Sequence, residues 1–103
     1  MFDRVKIARD FATRINSDEI NQIILFGSVA RGDDNEDSDI DILIVSSDTE
    51  KIQDDIDETV VDVVLETNQL ISAHLMSTDH FNKTKNNSFL KNVLNEGIIL
   101  GLN

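Results

Sequence analysis

Residues 25–32 read LFGSVARG and residues 38–45 read SDIDILIV, and these two stretches carry the strongest structural signal in the chain. In the first, an apolar run over residues 23–26 ends at Gly27. In the second, an acidic loop leads into another apolar run. Short continuous apolar runs bounded by turn residues are typical of buried strands. We therefore predict two core strands, residues 23–26 and 40–45.

Two carboxylates stand at the start of the second strand. Asp39 and Asp41 are two residues apart, so their side chains should point to the same face, while Ile40 and Ile42 point into the core. Neighbouring carboxylates repel each other unless a cation lies between them. Hard oxygen ligands of this kind suit Mg²⁺ that is also bound to substrate phosphates. Asp39 and Asp41 are therefore candidate metal ligands.

A third acidic residue, Asp62, interrupts the apolar run of residues 60–65, which we interpret as another strand. A bare charge within a buried strand is costly, so a functional role for Asp62 would explain its presence. If this strand neighbours the one that carries Asp39 and Asp41, all three carboxylates could surround two cations. That arrangement serves in-line displacement at phosphorus.

The glycine turn between the first two strands is a candidate phosphate site. Gly27 allows close approach of the backbone to a ligand, and a helical turn after it would present free N–H groups. Ser28 adds a hydroxyl donor at the same place. Arg31 could contact the substrate or could simply pair with a carboxylate of the acidic loop.

The rest of the chain predicts helices around these strands, in a single domain over residues 1–103. An amphipathic stripe predicts a helix over residues 2–15, and Ser47 followed by Glu50 is a capping-box pattern that predicts another. Further predicted elements are a strand at 70–76 paired antiparallel with the strand at 60–65, a short helix carrying Phe81, a helix at 89–94 and a closing strand at 98–100. Strands accumulate after an alternating start, which predicts an α+β (α/β mixed) fold with a mixed sheet of about four to five strands flanked by helices.

Composition and charge limit the class of function. Forty per cent of the residues are hydrophobic, as in a globular domain. The net charge of −11 has the wrong sign for tracking a phosphate backbone, so we expect no direct nucleic-acid partner. The absence of cysteine excludes disulfides and thiolate metal sites. No apolar run approaches the roughly 20 residues that span a bilayer and no leader pattern begins the chain, so we expect no membrane contact and a cytoplasmic location.

Two other motifs were weighed and rejected. The acidic loop resembles a calcium-binding loop, but Ser38 replaces its turn glycine and Ile44 its bidentate glutamate. The spacing of the two glycines resembles a P-loop, but Asp33 stands where the lysine is required. His74 and His80 have no cysteine or second histidine at zinc-site spacing, which predicts structural or surface roles for both.

The glycine turn and the carboxylate pair together form a known signature. Gly27-Ser28, ten residues and then Asp39-x-Asp41 resembles the signature of the polymerase-beta-like nucleotidyltransferase superfamily. The fuller string Gly-Ser-x-Ala-Arg-Gly…Ser-Asp-x-Asp is similar to its minimal nucleotidyltransferase (MNT) branch, as is the ending over residues 88–98. One departure is Val29, where Arg, Tyr or Phe is frequent in that branch.

The resemblance implies the nucleotidyltransferase fold and transfer of a nucleotidyl group from ATP or another nucleoside triphosphate, with AMP from ATP as the expected case. Gly27 and Ser28 would hold the β- and γ-phosphates, and Asp39 and Asp41 would bind two Mg²⁺ ions. Asp62 would match the third carboxylate, which ligates one metal and activates the acceptor hydroxyl.

The same resemblance implies a protein partner. Many members of the MNT branch form toxin–antitoxin pairs with a HEPN-domain protein, in which the transferase adenylylates a tyrosine of the toxin. We therefore expect a Mg²⁺-dependent protein adenylyltransferase that is the antitoxin of a HEPN ribonuclease toxin. The alternative is a binding module that neutralises a HEPN partner by contact. A stand-alone transferase acting on a small molecule is less favoured, because 103 residues leave no second domain for an acceptor pocket.

Overall fold

A computed structural model describes residues 3–102 of the chain, with only the backbone described at Leu102. Its elements, in chain order, are α1 (Arg4–Ile15), β1 (Ile20–Phe26), α2 (Gly27–Arg31), β2 (Ile40–Ser46), α3 (Thr49–Thr67), β3 (Ile71–Ser77), α4 (Thr78–Thr84), α5 (Ser88–Glu96) and β4 (Ile98–Leu102). This confirms the predicted mixed fold, with four strands among the described residues. Phe2, where the predicted first helix begins, lies outside them. None of the helices in this part of the chain is long and apolar enough to cross a membrane.

The four strands form one mixed sheet in the order β3-β2-β1-β4. β1 runs antiparallel to both β2 and β4, and β2 runs parallel to β3. A parallel pair needs a long crossover connection, and α3 supplies it. In this strand order β1 and β2 are the inner strands. They are the two strands predicted from residues 23–26 and 40–45.

The prediction of a strand over residues 60–65 is wrong, because these residues lie within the 19-residue helix α3. The Asp48 side chain caps the start of this helix, and Asn68, in the left-handed conformation with φ 58°, ends it. The buried residues of α3 recur at helical spacing: Ile52, Ile56 and Val63. Only part of the apolar run over residues 60–65 faces the sheet, because Val61 and Leu65 are exposed to solvent.

The pairing of the next strand differs for the same reason. β3 was expected to form an antiparallel hairpin with residues 60–65, but it pairs in parallel with β2 instead. Its register is continuous, from Ile40 opposite Ile71 to Ser46 opposite Ser77. This places β3 directly beside the strand that carries the carboxylate pair.

The core lies on both faces of the sheet. On one face, called here the α1/α3 face, Ile40, Ile42 and Ile44 pack with buried residues of α1 and α3. The opposite face, called the α4/α5 face, is formed by Ile24, Phe26, Leu43 and Val45 with Phe81, Leu90 and Val93. The alternation of side chains along β1 and β2 decides which residues reach each face.

Candidate functional site

The glycine turn and the carboxylate pair meet at the end of β1. Phe26, the last residue of β1, lies opposite Asp41 in the antiparallel register. Gly27 follows with φ +76°, and a Cβ built on it would lie 2.5 Å from Asp41 Oδ2. Gly27 is therefore required twice, for its left-handed backbone and for the space that the Asp41 carboxylate occupies.

Asp41 points to the α4/α5 face. Its neighbours Ile40 and Ile42 are fully buried on the α1/α3 face, so alternation sends Asp41 to the opposite side. Asp39 directly precedes β2 and is two residues before Asp41, so side-chain alternation places both on the same face. The side chain of Asp41 is 31% exposed and Asp39 is exposed, so both carboxylates are accessible to a ligand at the sheet edge.

β3 contributes two polar side chains to the same face. Ser72 lies opposite Asp41 in the parallel register, and His74 lies opposite Leu43. His74 Nε2 is 3.7 Å from Asp41 Oδ1 and 3.3 Å from Ser72 Oγ. The prediction that His74 is structural or lies at the surface agrees with its exposed side chain, and the structure adds that it adjoins Asp41. The small and polar residues at alternate positions of ISAHLMS are the sequence signal for this arrangement, but it becomes readable only when the strand and its register are known.

Asp62 does not lie near Asp39 and Asp41. It is exposed on α3, which packs on the α1/α3 face, whereas Asp41 points to the opposite face of the sheet. There it lines a shallow depression with Arg14 and Asp55, between α1 and α3. The premise for its catalytic role was a strand adjacent to β2, and that position belongs to β3, which contains no acidic residue.

Arg31 ends α2 and is held by carboxylates. Its Nε lies 3.2 Å from Asp33 Oδ2 and its Nη1 lies 3.3 Å from Glu96 Oε2. The hydrogen bond to Asp33, and then the one to Glu96, raise the pKa of Arg31 above its already high usual value. Arg31 also lines a groove of about 300 Å³ with Gly27 and Phe89. Both roles weighed for Arg31 are therefore compatible with its position, and the carboxylate pairing is the one seen.

Sequence reasoning missed Arg4, which holds the acidic loop ahead of Asp39. Arg4 Nη1 forms an ion pair of 2.8 Å with Asp34, and its guanidinium also donates to the backbone carbonyls of Asn35 and Glu36. Its Nε donates to the side chain of Gln69 at 2.9 Å. Arg4 therefore ties α1 and the connection between α3 and β3 to the loop. The loop leads into a strand rather than a second helix, which argues against the calcium-hand interpretation.

Replacing Arg4 with alanine is expected to release this loop and to lower the free energy of unfolding by about 1–2 kcal/mol. The side chain is only 12% exposed, so its loss removes packing as well as charge-assisted hydrogen bonds. The measurement is the rate of cleavage after Glu36 by a glutamate-specific protease, together with urea denaturation. Arg9→Ala, at an exposed position of the same helix, is the control. Equal cleavage rates in the two variants would contradict a loop-holding role.

The donor groups at this place fit a cation that arrives with a nucleotide. Among residues 3–102, no three His, Cys, Asp or Glu side chains are gathered into a group that could hold a metal ion. Mg²⁺ is commonly bound by one or two carboxylates plus substrate phosphates and water, so a preformed cage is not required. The carboxylate of Asp41, in the space left by the missing Cβ of Gly27, supplies hard oxygen ligands beside the turn.

The fold and the Gly-Ser…Asp-x-Asp geometry define a nucleotidyltransferase. The family model described as Polymerase beta, Nucleotidyltransferase matches residues 10–102, and the chain belongs to this family. Two relatives from Methanocaldococcus jannaschii are named as candidate protein adenylyltransferases. One, MJ0604, is 42% identical, with 92% of this chain and 95% of the relative covered. The other, MJ0141, is 33% identical, with 91% and 95% covered.

Solved structures share the fold at lower sequence identity. A candidate nucleotidyltransferase from Sulfolobus solfataricus has a TM-score of 0.53 and 17% identity, over 94% of this chain and 81% of that one. A mutant of the toxin–antitoxin MntA-HpeT has a TM-score of 0.56 and 19% identity, and the match covers 100% of this chain and 75% of that one. A toxin–antitoxin structure with AMP-PNP has a TM-score of 0.52 and 22% identity, and the match covers 98% of this chain and 72% of that one. The likeness confirms a nucleotidyltransferase fold.

Proposed function

We propose that this chain, acting as a single minimal nucleotidyltransferase domain, transfers AMP from ATP to a hydroxyl group of a partner protein. The observation that carries the proposal is the Asp41 carboxylate, which occupies the space beside Gly27 that any Cβ would fill. Such a close fit between a glycine turn and a carboxylate positions phosphate and cation next to each other. The relatives named as candidate protein adenylyltransferases support a protein acceptor.

The residues of the proposed site have different parts in this reaction. The Gly27 backbone and the Ser28 hydroxyl hold the β- and γ-phosphates, and Asp39 and Asp41 hold two Mg²⁺ ions. When bound, the cations neutralise the triphosphate and orient it for in-line attack. The acceptor hydroxyl gives its proton to solvent as its oxygen bonds to the α-phosphorus, the bond from that phosphorus to the bridging oxygen breaks, and pyrophosphate leaves. Arg31 can exchange its bond to Glu96 for a phosphate oxygen, since both are exposed.

The partner that we propose is a HEPN-domain toxin. Solved toxin–antitoxin complexes are among the fold neighbours, and one of them was solved with AMP-PNP. The chain itself has a net charge of −11, which complements the basic surface that a ribonuclease needs to bind RNA. A partner that delivers the acceptor hydroxyl also completes the site only on contact, which limits wasteful hydrolysis of ATP.

A second candidate function is neutralisation of the partner by contact alone. It is favoured by one observation: no acidic residue of β3 accompanies Asp39 and Asp41, and Asp62 lies on the other face of the sheet. A transferase that lacks its third carboxylate could retain only the binding surface.

One experiment separates the two candidates. The chain is co-expressed with the product of the neighbouring reading frame, purified with it, and incubated with Mg²⁺ and ATP. Intact-mass measurement should then show one or more adenylates on the partner, and none when the chain carries Asp41→Asn. If the partner stays unmodified and its ribonuclease activity is equally inhibited by the Asp41→Asn variant, contact neutralisation is correct.

Asp62→Asn is expected to leave both nucleotide binding and adenylate transfer close to the parent values. We expect this because Asp62 is exposed on α3 and the sheet separates it from Asp41. Initial rates of partner adenylylation, compared with those of Asp41→Asn, give the measurement. A selective loss of transfer in Asp62→Asn would restore the acceptor-activating role that the family resemblance implies.

A further inference from the structure

His74 lies on β3, the strand beside β2, and its imidazole is close enough to Asp41 to be considered as a third ligand for the cation. The register sets Ser72 and His74 beside Asp41 and Leu43, on the face to which the carboxylate pair points. Of the residues that β3 turns to this face, His74 has the strongest metal-binding group. The Nε2 atom of His74 lies 3.7 Å from Asp41 Oδ1.

This separation suits two ligands of one cation better than it suits a hydrogen bond. A hydrogen bond between nitrogen and oxygen has a length of about 2.7–3.2 Å. Two ligands that each lie about 2.1 Å from a shared metal ion are roughly 3–4 Å apart. The His74–Asp41 distance of 3.7 Å falls in the second range. This spacing leaves room for one cation between the His74 imidazole and the Asp41 carboxylate, with the remaining ligands supplied from elsewhere.

The imidazole is also held in position by its neighbours. The ring of Phe26 packs against it with centroids 5.2 Å apart and an interplanar angle of 60°. Phe26 is in turn packed edge-on against Phe89, with centroids 5.6 Å apart. Ser72 Oγ lies 3.3 Å from the same Nε2 atom that faces Asp41, so a cation bound at this nitrogen would replace the contact with the Ser72 hydroxyl. The side chain of His74 remains 45% exposed, so a cation can reach this nitrogen.

We propose that His74 is a ligand of the cation held by Asp41, and that it gives this site a preference for a transition-metal ion, such as Mn²⁺, over Mg²⁺. The inference rests on the proposed function, because Asp39 and the nucleotide phosphates complete the coordination sphere. Imidazole binds transition-metal ions well, whereas Mg²⁺ prefers oxygen ligands. A donor set of carboxylate plus imidazole therefore shifts the selectivity away from Mg²⁺.

The test uses the fact that the chain contains only two histidines, His74 and His80. The untagged full chain is labelled with ¹⁵N at histidine and loaded with Mn²⁺ and an ATP analogue that has a methylene group between the α- and β-phosphorus. Pulsed electron paramagnetic resonance then detects any ¹⁵N nucleus bound to the manganese. We expect this coupling in the parent and in His80→Ala, a control on the exposed surface of α4, and its loss in His74→Ala.

Affinity measurements provide the second readout. His74→Ala should weaken Mn²⁺ binding by about 10–100-fold, the size of effect seen when groups supporting a metal site are removed. Binding of Mg²⁺ should change much less, and His74→Asp should reverse the preference toward Mg²⁺. Bound Mn²⁺ without ¹⁵N coupling in the parent, or unchanged Mn²⁺ affinity in His74→Ala, overturns the role of His74. The proposed function survives that result if Asp41→Asn still abolishes binding of the cation and the nucleotide analogue. Failure of the parent to bind any divalent cation would overturn both.

Discussion

Replacement of Asp39 and Asp41 together by asparagine is expected to lower the rate of adenylate transfer on the order of 10³-fold or more. Both side chains belong to the cation site, and asparagine keeps their shape while removing the charge. In metal-free buffer the double variant should melt no lower than the parent, because the repulsion between the two carboxylates is relieved. Intact-mass assay of the partner and thermal melting with and without Mg²⁺ provide the measurements.

The matched control is the double variant Glu36→Gln with Asp37→Asn, which makes the same change in charge on the exposed acidic loop. It should retain transfer and nucleotide binding, since neither Glu36 nor Asp37 belongs to the proposed cation site. Equal loss of activity in both double variants would show that overall negative charge, rather than the cation site, governs the reaction. A clear fall in metal-free melting temperature for the Asp39 and Asp41 variant would instead mark those residues as structural.

Gly27→Ala is expected to disable the site by displacing Asp41, with a loss of Mg²⁺–nucleotide affinity on the order of 10²-fold. The new Cβ would lie 2.5 Å from Asp41 Oδ2, closer than real contacts allow, and the backbone φ of +76° adds strain. The strain alone should cost about 1–2 kcal/mol of folding free energy. Titration with Mg²⁺ and the methylene ATP analogue, together with urea denaturation, measures the two effects.

The variant Gly32→Ala separates the effect of backbone strain from the effect of a clash with the Asp41 side chain. Gly32 has a similar φ of +81°, but a Cβ there would meet nothing within 4 Å. This variant should therefore lose a comparable amount of stability while keeping nucleotide affinity close to the parent value. If Gly32→Ala weakened binding as much as Gly27→Ala, the effect would come from the backbone of α2 rather than from contact with Asp41.

The parts of the fold and the site that were predictable are those encoded by local pattern. The β1 strand, the glycine turn and β2 follow one another within residues 20–46, so their apolar runs and the Gly-Ser…Asp-x-Asp spacing describe one continuous structure. Side-chain alternation alone then gives Asp39 and Asp41 a common face. No long-range information was needed for this half of the site.

The other half depended on information that the local pattern does not contain. Residues 60–65 are apolar enough for a strand, and only the caps at Asp48 and Asn68 and the wider helical spacing reveal α3. Reading that helix as a strand puts Asp62 beside β2, a position that β3 occupies. Arg4 was missed because its contact to Asp34 joins residues 30 apart in sequence. Such partners are fixed by packing and cannot be recognised from composition at either end.

The position of β2 between two partner strands has a consequence for how the enzyme would lose activity on heating. Amides of an inner, buried strand exchange with solvent only through the largest opening of the molecule, whereas those of exposed loops exchange through small local openings. Ile40 and the residues from Ile42 to Ser46 are at most 1% exposed. Asp41 is therefore anchored to the segment expected to exchange most slowly, and Asp39 adjoins it. Fraying of the outer helices would leave Asp41 in register, so cation binding at Asp41 and the global fold should disappear in a single transition.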